Sequence, residues 1–121
     1  AQAVSDILAS PDLIRFAITG GQNGIAGQVL WSRTRGVVFS GVRLPAAPDR
    51  MTYQLWLLTD AAPVNAGTFI PDASGRITFA AEAPRVPRPV NGAALTLEPA
   101  GGSQIPSDRL LGQNRPPRPT L

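Results

Sequence analysis

The chain has no cysteine, no histidine and no lysine. Without cysteine there is no disulfide staple and no thiolate nucleophile. Without histidine the commonest general base and the commonest metal ligand are both missing. A Ser-His-Asp triad, a Cys-His dyad and an ordinary zinc site are therefore excluded within these residues. Charge is also scarce: Asp, Glu, Lys and Arg make up 16% of the chain, against the usual quarter. No run approaches the ~20 apolar residues of a membrane span, and no secretion signal is visible. Ala1 is not an initiator methionine, which points to a processed chain or an excised piece.

What is present is a single domain's worth of chain, 121 residues. At this length about two-thirds of the unfolded surface is buried on folding, enough for a real core. The 11 basic residues are all Arg, a pattern that reads first as a base-composition bias of the gene. The net charge of +3 is mild. Arg15, Arg33, Arg43, Arg50, Arg76 and Arg109 are scattered, not gathered into the stripe a nucleic-acid binder shows, so no nucleic-acid partner is expected.

Twelve glycines and 13 prolines divide the chain into short segments. Seven of these read as strands, over 13–19, 25–33, 37–42, 52–60, 64–70, 76–82 and 93–98. Residues 25–42 read as a hairpin around Thr34-Arg35-Gly36. Thr52 to Asp60 (TYQLWLLTD) is the most apolar run and reads as a strand buried on both faces, with Tyr53, Leu55 and Leu57 on one and Gln54, Trp56 and Leu58 on the other. Pro71 to Gly75 reads as a hairpin loop. Leu95 and Leu97 are expected to face inward, Thr96 and Glu98 outward. Pro84, Pro87 and Pro89 make 83–92 an extended surface loop. The expected fold is all-β: a mostly antiparallel β-sandwich of about seven strands with Pro/Gly-rich loops. Its expected divisions are an N-terminal arm or short helix (1–11), the sandwich (12–112) and a Pro/Arg-rich tail (113–121).

Chemistry is hard to place on this frame. Asp12, Asp49, Asp60 and Asp72 sit beside proline or in turns, where Asp caps backbone amides. No local carboxylate pair suggests glycoside hydrolysis. Asp72-Ala73-Ser74-Gly75 lacks the later acidic residues of a calcium loop. The clusters at 20–24 and 101–102 are not phosphate loops, because neither is followed by Lys or opens a helix. Ser40, Ser74, Ser103 and Ser107 have no base to activate them. Phe16, Trp31, Phe39, Tyr53, Trp56, Phe69 and Phe79 read as core, with Trp31 or Trp56 as the candidates for an exposed sugar-stacking surface. Arg85, Arg88, Arg115 and Arg118 alternate with proline and read as solvated, with a recognition segment as the other possibility. No catalytic, cofactor-binding or metal residue is assigned, and no cofactor is expected.

Four spaced blocks carry a resemblance: GVRLPAAPDR (41–50), TYQLWLL (52–58), PVNAGTFIPDASGRI (63–77) and ALTLEPAGGSQIPS (94–107). In this order they resemble the C-terminal domain of transmembrane anti-sigma factors of the RskA type (anti-sigma-K), over about Leu8 to Gly112. The matching residues are Tyr53, Gln54, Leu55, Trp56, Gly67, Phe69, Pro71, Asp72, Gly75, Glu98, Pro99, Gly101 and Gly102. Their reading is structural: Gln54, in so apolar a run, is expected to bond backbone. The resemblance implies a parent with a cytoplasmic sigma-binding domain, one membrane helix and this domain on the extracytoplasmic side. It also implies control by regulated proteolysis, with site proteases or a signalling protein as partners. The sigma factor would be bound only through the domain not present here. A free-standing exported module for a cell-wall glycan or small ligand is the alternative, and a carboxylate-only hydrolase the third reading.

Overall fold

Apolar alternation at a period of two carries most of the chain into strands. A computed structural model describes residues 2–20, 24–107 and 109–114. The first element is the helix α1 (Gln2–Leu8), followed by β1 (Ile14–Gly20), β2 (Ile25–Ser32), β3 (Gly36–Val42), β4 (Met51–Leu58), β5 (Val64–Phe69), β6 (Ile77–Ala81), β7 (Gly92–Pro99) and β8 (Leu110–Asn114). All seven expected strands are there. The eighth, β8, was not expected: LLGQN has two apolar residues and no alternation, so its strand character comes from the edge of β7.

The strands form two antiparallel four-stranded halves, β6-β3-β2-β1 and β8-β7-β4-β5, packed as a sandwich. Among the described residues the halves pair with one another at one place, Thr19 with Gln113. The β2–β3 hairpin forms as its sequence implies, with Trp31 opposite Val37 and Val29 opposite Phe39. The loop at Pro71–Gly75 departs from the hairpin reading. It turns tightly, but β5 pairs with β4 and β6 with β3, so the loop crosses between halves. A β-strand's tendency to pair with its chain neighbour is overridden here by closure of the sandwich.

The inner faces meet in one apolar cluster. Phe16, Ile18, Val29, Trp31, Val37 and Phe39 come from one half, and Tyr53, Leu55, Leu57, Phe69, Ala93 and Leu95 from the other. Each large side chain buried this way contributes about 1.5–3 kcal/mol. The exposed ion pair Arg88–Asp60 at 3.3 Å is worth about 0–1 kcal/mol, so packing and not charge holds the halves together.

Where the far ends of the two halves meet, β5 carries a bulge. Leu55 pairs with Gly67 and Trp56 with Asn65, which leaves Ala66 as the extra residue, turned into the core. The Asn65 side chain accepts the Gly67 N–H at 2.8 Å. Gly67 lies under the Phe79 ring of β6 so closely that a Cβ would stand 2.5 Å from a ring carbon, and its φ is +121°. Phe69 stacks on Phe39, Phe79 and Tyr53 with ring centroids 5.3–5.6 Å apart.

Seven residues are too few for a stable isolated helix, so α1 depends on packing. It lies across β2, β3 and β6, with Ile7 buried against Gly36 and Arg35 donating to the Asp6 carbonyl at 3.2 Å. The Pro-rich segment 83–91 is docked, not free. Val86 and Val90 enter the core, and the Arg33 guanidinium donates to the carbonyls of Val86 and Arg88 while lying over the Trp31 ring. Arg115 and Arg118 of the tail lie outside the described residues, as do residues 21–23 of the glycine cluster. Among the described residues no helix is long and apolar enough to cross a membrane.

Candidate functional site

The polar residues that the sequence makes hardest to explain are brought together on the outer face of the β4/β7 pair. The register sets Gln54 opposite Thr96 and Thr52 opposite Glu98. Thr96 and Glu98, expected to face solvent, do point away from the core. They are nevertheless buried, each at 1% exposure. The reason is the segment after Glu98. Gly102, at φ +86°, lets the chain fold back over β4 and β5, where a Cβ on it would stand 3.1 Å from both the Gln54 Oε1 and the Thr68 methyl.

The resulting network is continuous. The Trp56 indole N–H donates to Thr96 Oγ1 at 2.8 Å, and Thr96 Oγ1 donates to Glu98 Oε2 at 2.6 Å. Glu98 also accepts from Ser103 Oγ at 2.7 Å and from the Ser107 N–H at 2.9 Å. Gln54 makes a reciprocal pair with the Ser103 backbone, donating to its carbonyl at 3.0 Å and accepting from its N–H at 2.8 Å. Ser107 Oγ donates to the Leu97 carbonyl at 3.0 Å. Burial disfavours the Glu98 anion, and this is the largest single influence on it. The bonds from the Ser107 N–H and from the Thr96 and Ser103 hydroxyls together outweigh it, so the carboxyl ionises below the usual glutamate range. Among the described residues no buried side-chain polar atom lacks a partner.

The other matching residues tie the four blocks to one another. The Tyr53 hydroxyl donates to the Pro45 carbonyl, and burial raises its pKa. The Leu44 N–H donates to Gly75 O at 3.0 Å, and the Ala100 N–H to Arg50 O at 2.8 Å. Leu55 and Phe69 are core. Pro71 is buried, and Asp72 caps its own loop, accepting from Ser74 Oγ, Ser74 N–H and Arg76 N–H at 2.7–2.9 Å. The Ser74 hydroxyl and the two amides hold the Asp72 carboxyl below the usual aspartate range. Pro99 and Gly101 are exposed at the start of the folded-back segment.

Sequence reasoning paired Gln54 with backbone and counted Glu98 among the matching residues, but expected Glu98 to face solvent and missed its burial. Its signal was the glycine pair following at once: a chain that doubles back there must cover the strand face it has just left.

The carboxylates of Asp12, Asp60, Asp72 and Glu98 are not brought together. Asp12 accepts from Ser32 and Thr34, with the Ser32 bond the main cause of its lowered pKa. Asp60 pairs with Arg88, and Asp72 serves its loop. Glu82 lines a depression beside α1, and Glu98 is enclosed as described. Among the described residues no group of acidic side chains is placed to hold a metal. Trp31 and Trp56 are 1% and 0% exposed, so neither offers the sugar-stacking surface that would favour a glycan-binding module.

The family model of the anti-sigma-K factor RskA C-terminal domain matches residues 1–118. Neither a curated protein nor a solved structure matches the chain. The family is that of a regulatory domain of an anti-sigma factor, and implies protein partners such as a sigma factor. The match runs across all four blocks, which the fold bonds into one unit. The chain belongs to the RskA C-terminal family of anti-sigma-K factors.

Proposed function

We propose that this chain is the extracytoplasmic sensory or protein-interaction domain of a membrane-spanning anti-sigma factor. In this reading the parent holds an extracytoplasmic-function sigma factor through a separate cytoplasmic domain. Regulated proteolysis releases that sigma factor, and the domain described here governs protease access from outside. The observation that carries the reading is the family match over residues 1–118. The structure is in keeping with a recognition role: among the described residues, buried side-chain polar atoms are taken up by internal hydrogen bonds, and no acidic group is placed to hold a metal.

The test is an immunoblot of fractionated native cells with antibody against this domain. The expected band runs well above 12.7 kDa, stays in the integral-membrane fraction and is digested only by protease added outside. A soluble exported band near 12.7 kDa overturns the membrane-anchored reading.

A further inference from the structure

Between β7 and β8 the chain does not take a short turn. Residues Pro99–Ser107 fold back across the outer face of β4 and β5 without adding a strand to the sheet. The segment's backbone bonds lie at its root, Ala100 N–H to Arg50 O and Gly102 N–H to Pro99 O. Its hold on the sheet beyond the root is made by side chains. Gln54 grips the Ser103 backbone from both sides, Glu98 takes the Ser103 hydroxyl and the Ser107 amide, and Ser107 reaches the Leu97 carbonyl. Its one large apolar side chain, Ile105, is 72% exposed and contributes nothing to the core.

We infer that Pro99–Ser107 is a latched strap that opens as a unit while the sandwich stays folded, with Gln54 and Glu98 as its two latches. The physical ground is the contrast in what holds each part. The strands are held by ladders and a shared apolar core. Beyond its root the strap is held by a handful of polar bonds, all but one of them to two side chains, and segments held that way open at a lower free energy than the whole domain. Opening frees Gln54 and the Glu98 carboxylate from the strap and uncovers the outer face of the β4/β7 pair, where Thr96 keeps its bonds to Trp56 and Glu98. Glu98 is the stronger latch because its bonds are charge-assisted. Among the described residues the groups bonded to its carboxylate are the neutral Thr96, Ser103 and Ser107, so acid acts on the latch at the carboxylate itself.

Amide hydrogen exchange of the 121-residue chain tests this, with the Ser103 and Ser107 N–H groups as reporters of the two latches and those of Leu55 and Leu95 as reporters of the sandwich. In the wild type the strap amides are expected to exchange at least about 10-fold faster than Leu55 and Leu95, with little dependence on low urea concentration. Glu98→Gln is expected to speed Ser107 by a further ~30-fold with its exchange still nearly independent of low urea, while Leu55 and Leu95 change only by the variant's loss of global stability and keep their steep urea dependence. The milder Ser103→Ala, which keeps every backbone bond, is expected to act in the same direction by roughly threefold. If wild-type strap and strand amides exchange together, the strap is an integral part of the sandwich and the inference fails. It fails equally if both variants leave Ser103 and Ser107 at the wild-type rate.

Discussion

Glu98 shows how one residue can be both buried and charged. A carboxylate at 1% exposure is costly unless its oxygens are occupied, and here three donors reach it at 2.6–2.9 Å. Its folded pKa is depressed. The sign follows. Above the unfolded value, about 4.3, the carboxylate's contribution to stability is fully present. It is lost as pH falls through the lower, folded value. Asp72 and Asp12 carry the same sign. Urea midpoints measured from pH 7 down to pH 2 are therefore expected to fall steeply only on the acid side. Glu98→Gln should lower the midpoint at pH 7, by about 2 kcal/mol of stability, and flatten the acid slope because glutamine does not titrate. An undiminished slope in the variant would mean that the network does not couple to the proton. Gln54 was legible at this scale, since an amide inside an apolar run must find partners. The burial of Glu98 was not, because Thr-Leu-Glu alternation reads as a solvated outer face until the strap is in place.

At the scale of single elements, the sequence was most readable where one strand's own pattern decided its place. The uninterrupted run of β4 implied burial on both faces, and residues 52–58 are all buried. The β2–β3 hairpin followed from its short turn. Pairing was less readable wherever a distant strand decided it. The Pro71–Gly75 turn looks local, yet its flanking strands join different halves. The bulge in β5 likewise answers to β6, not to its own sequence. Its purpose is steric, and two alanine substitutions separate space from backbone conformation. Gly67 combines φ +121° with the Phe79 ring 2.5 Å from a Cβ position, whereas Gly101 has φ +94° and nothing within 4 Å. Gly67→Ala is expected to cost about 3 kcal/mol by chemical denaturation. Gly101→Ala should cost about 1 kcal/mol, from conformation alone. Equal costs would show that the Phe79 ring moves aside freely and that the bulge does not seat it.

For the molecule as a whole, the question is whether two halves joined by one backbone pairing behave as one cooperative unit. Hydrogen bonding alone would let them separate, because among the described residues Thr19–Gln113 is the single pairing between them. Packing argues the other way. Phe69 from one half stacks on Phe39 and Phe79 of the other, and the apolar cluster has no internal boundary. With each large side chain worth about 1.5–3 kcal/mol, exposing one half's inner face costs several times what one backbone bond, about 1 kcal/mol, contributes. Neither half can keep its core without the other. The two tryptophans supply a reporter for each: Trp31 on β2 and Trp56 on β4, both fully enclosed. In Trp56→Phe, Trp31 fluorescence and far-ultraviolet circular dichroism should give coincident urea transitions, and so should Trp56 fluorescence in Trp31→Phe. Midpoints that differ within either variant by more than about 0.5 M, some 1 kcal/mol at ordinary denaturant slopes, would mean that the halves fold separately. Coincidence would mean that the two halves unfold as one unit, so that opening of the strap at a lower free energy leaves both closed. A domain built this way changes the surface it offers by releasing a polar latch, without spending any of its core.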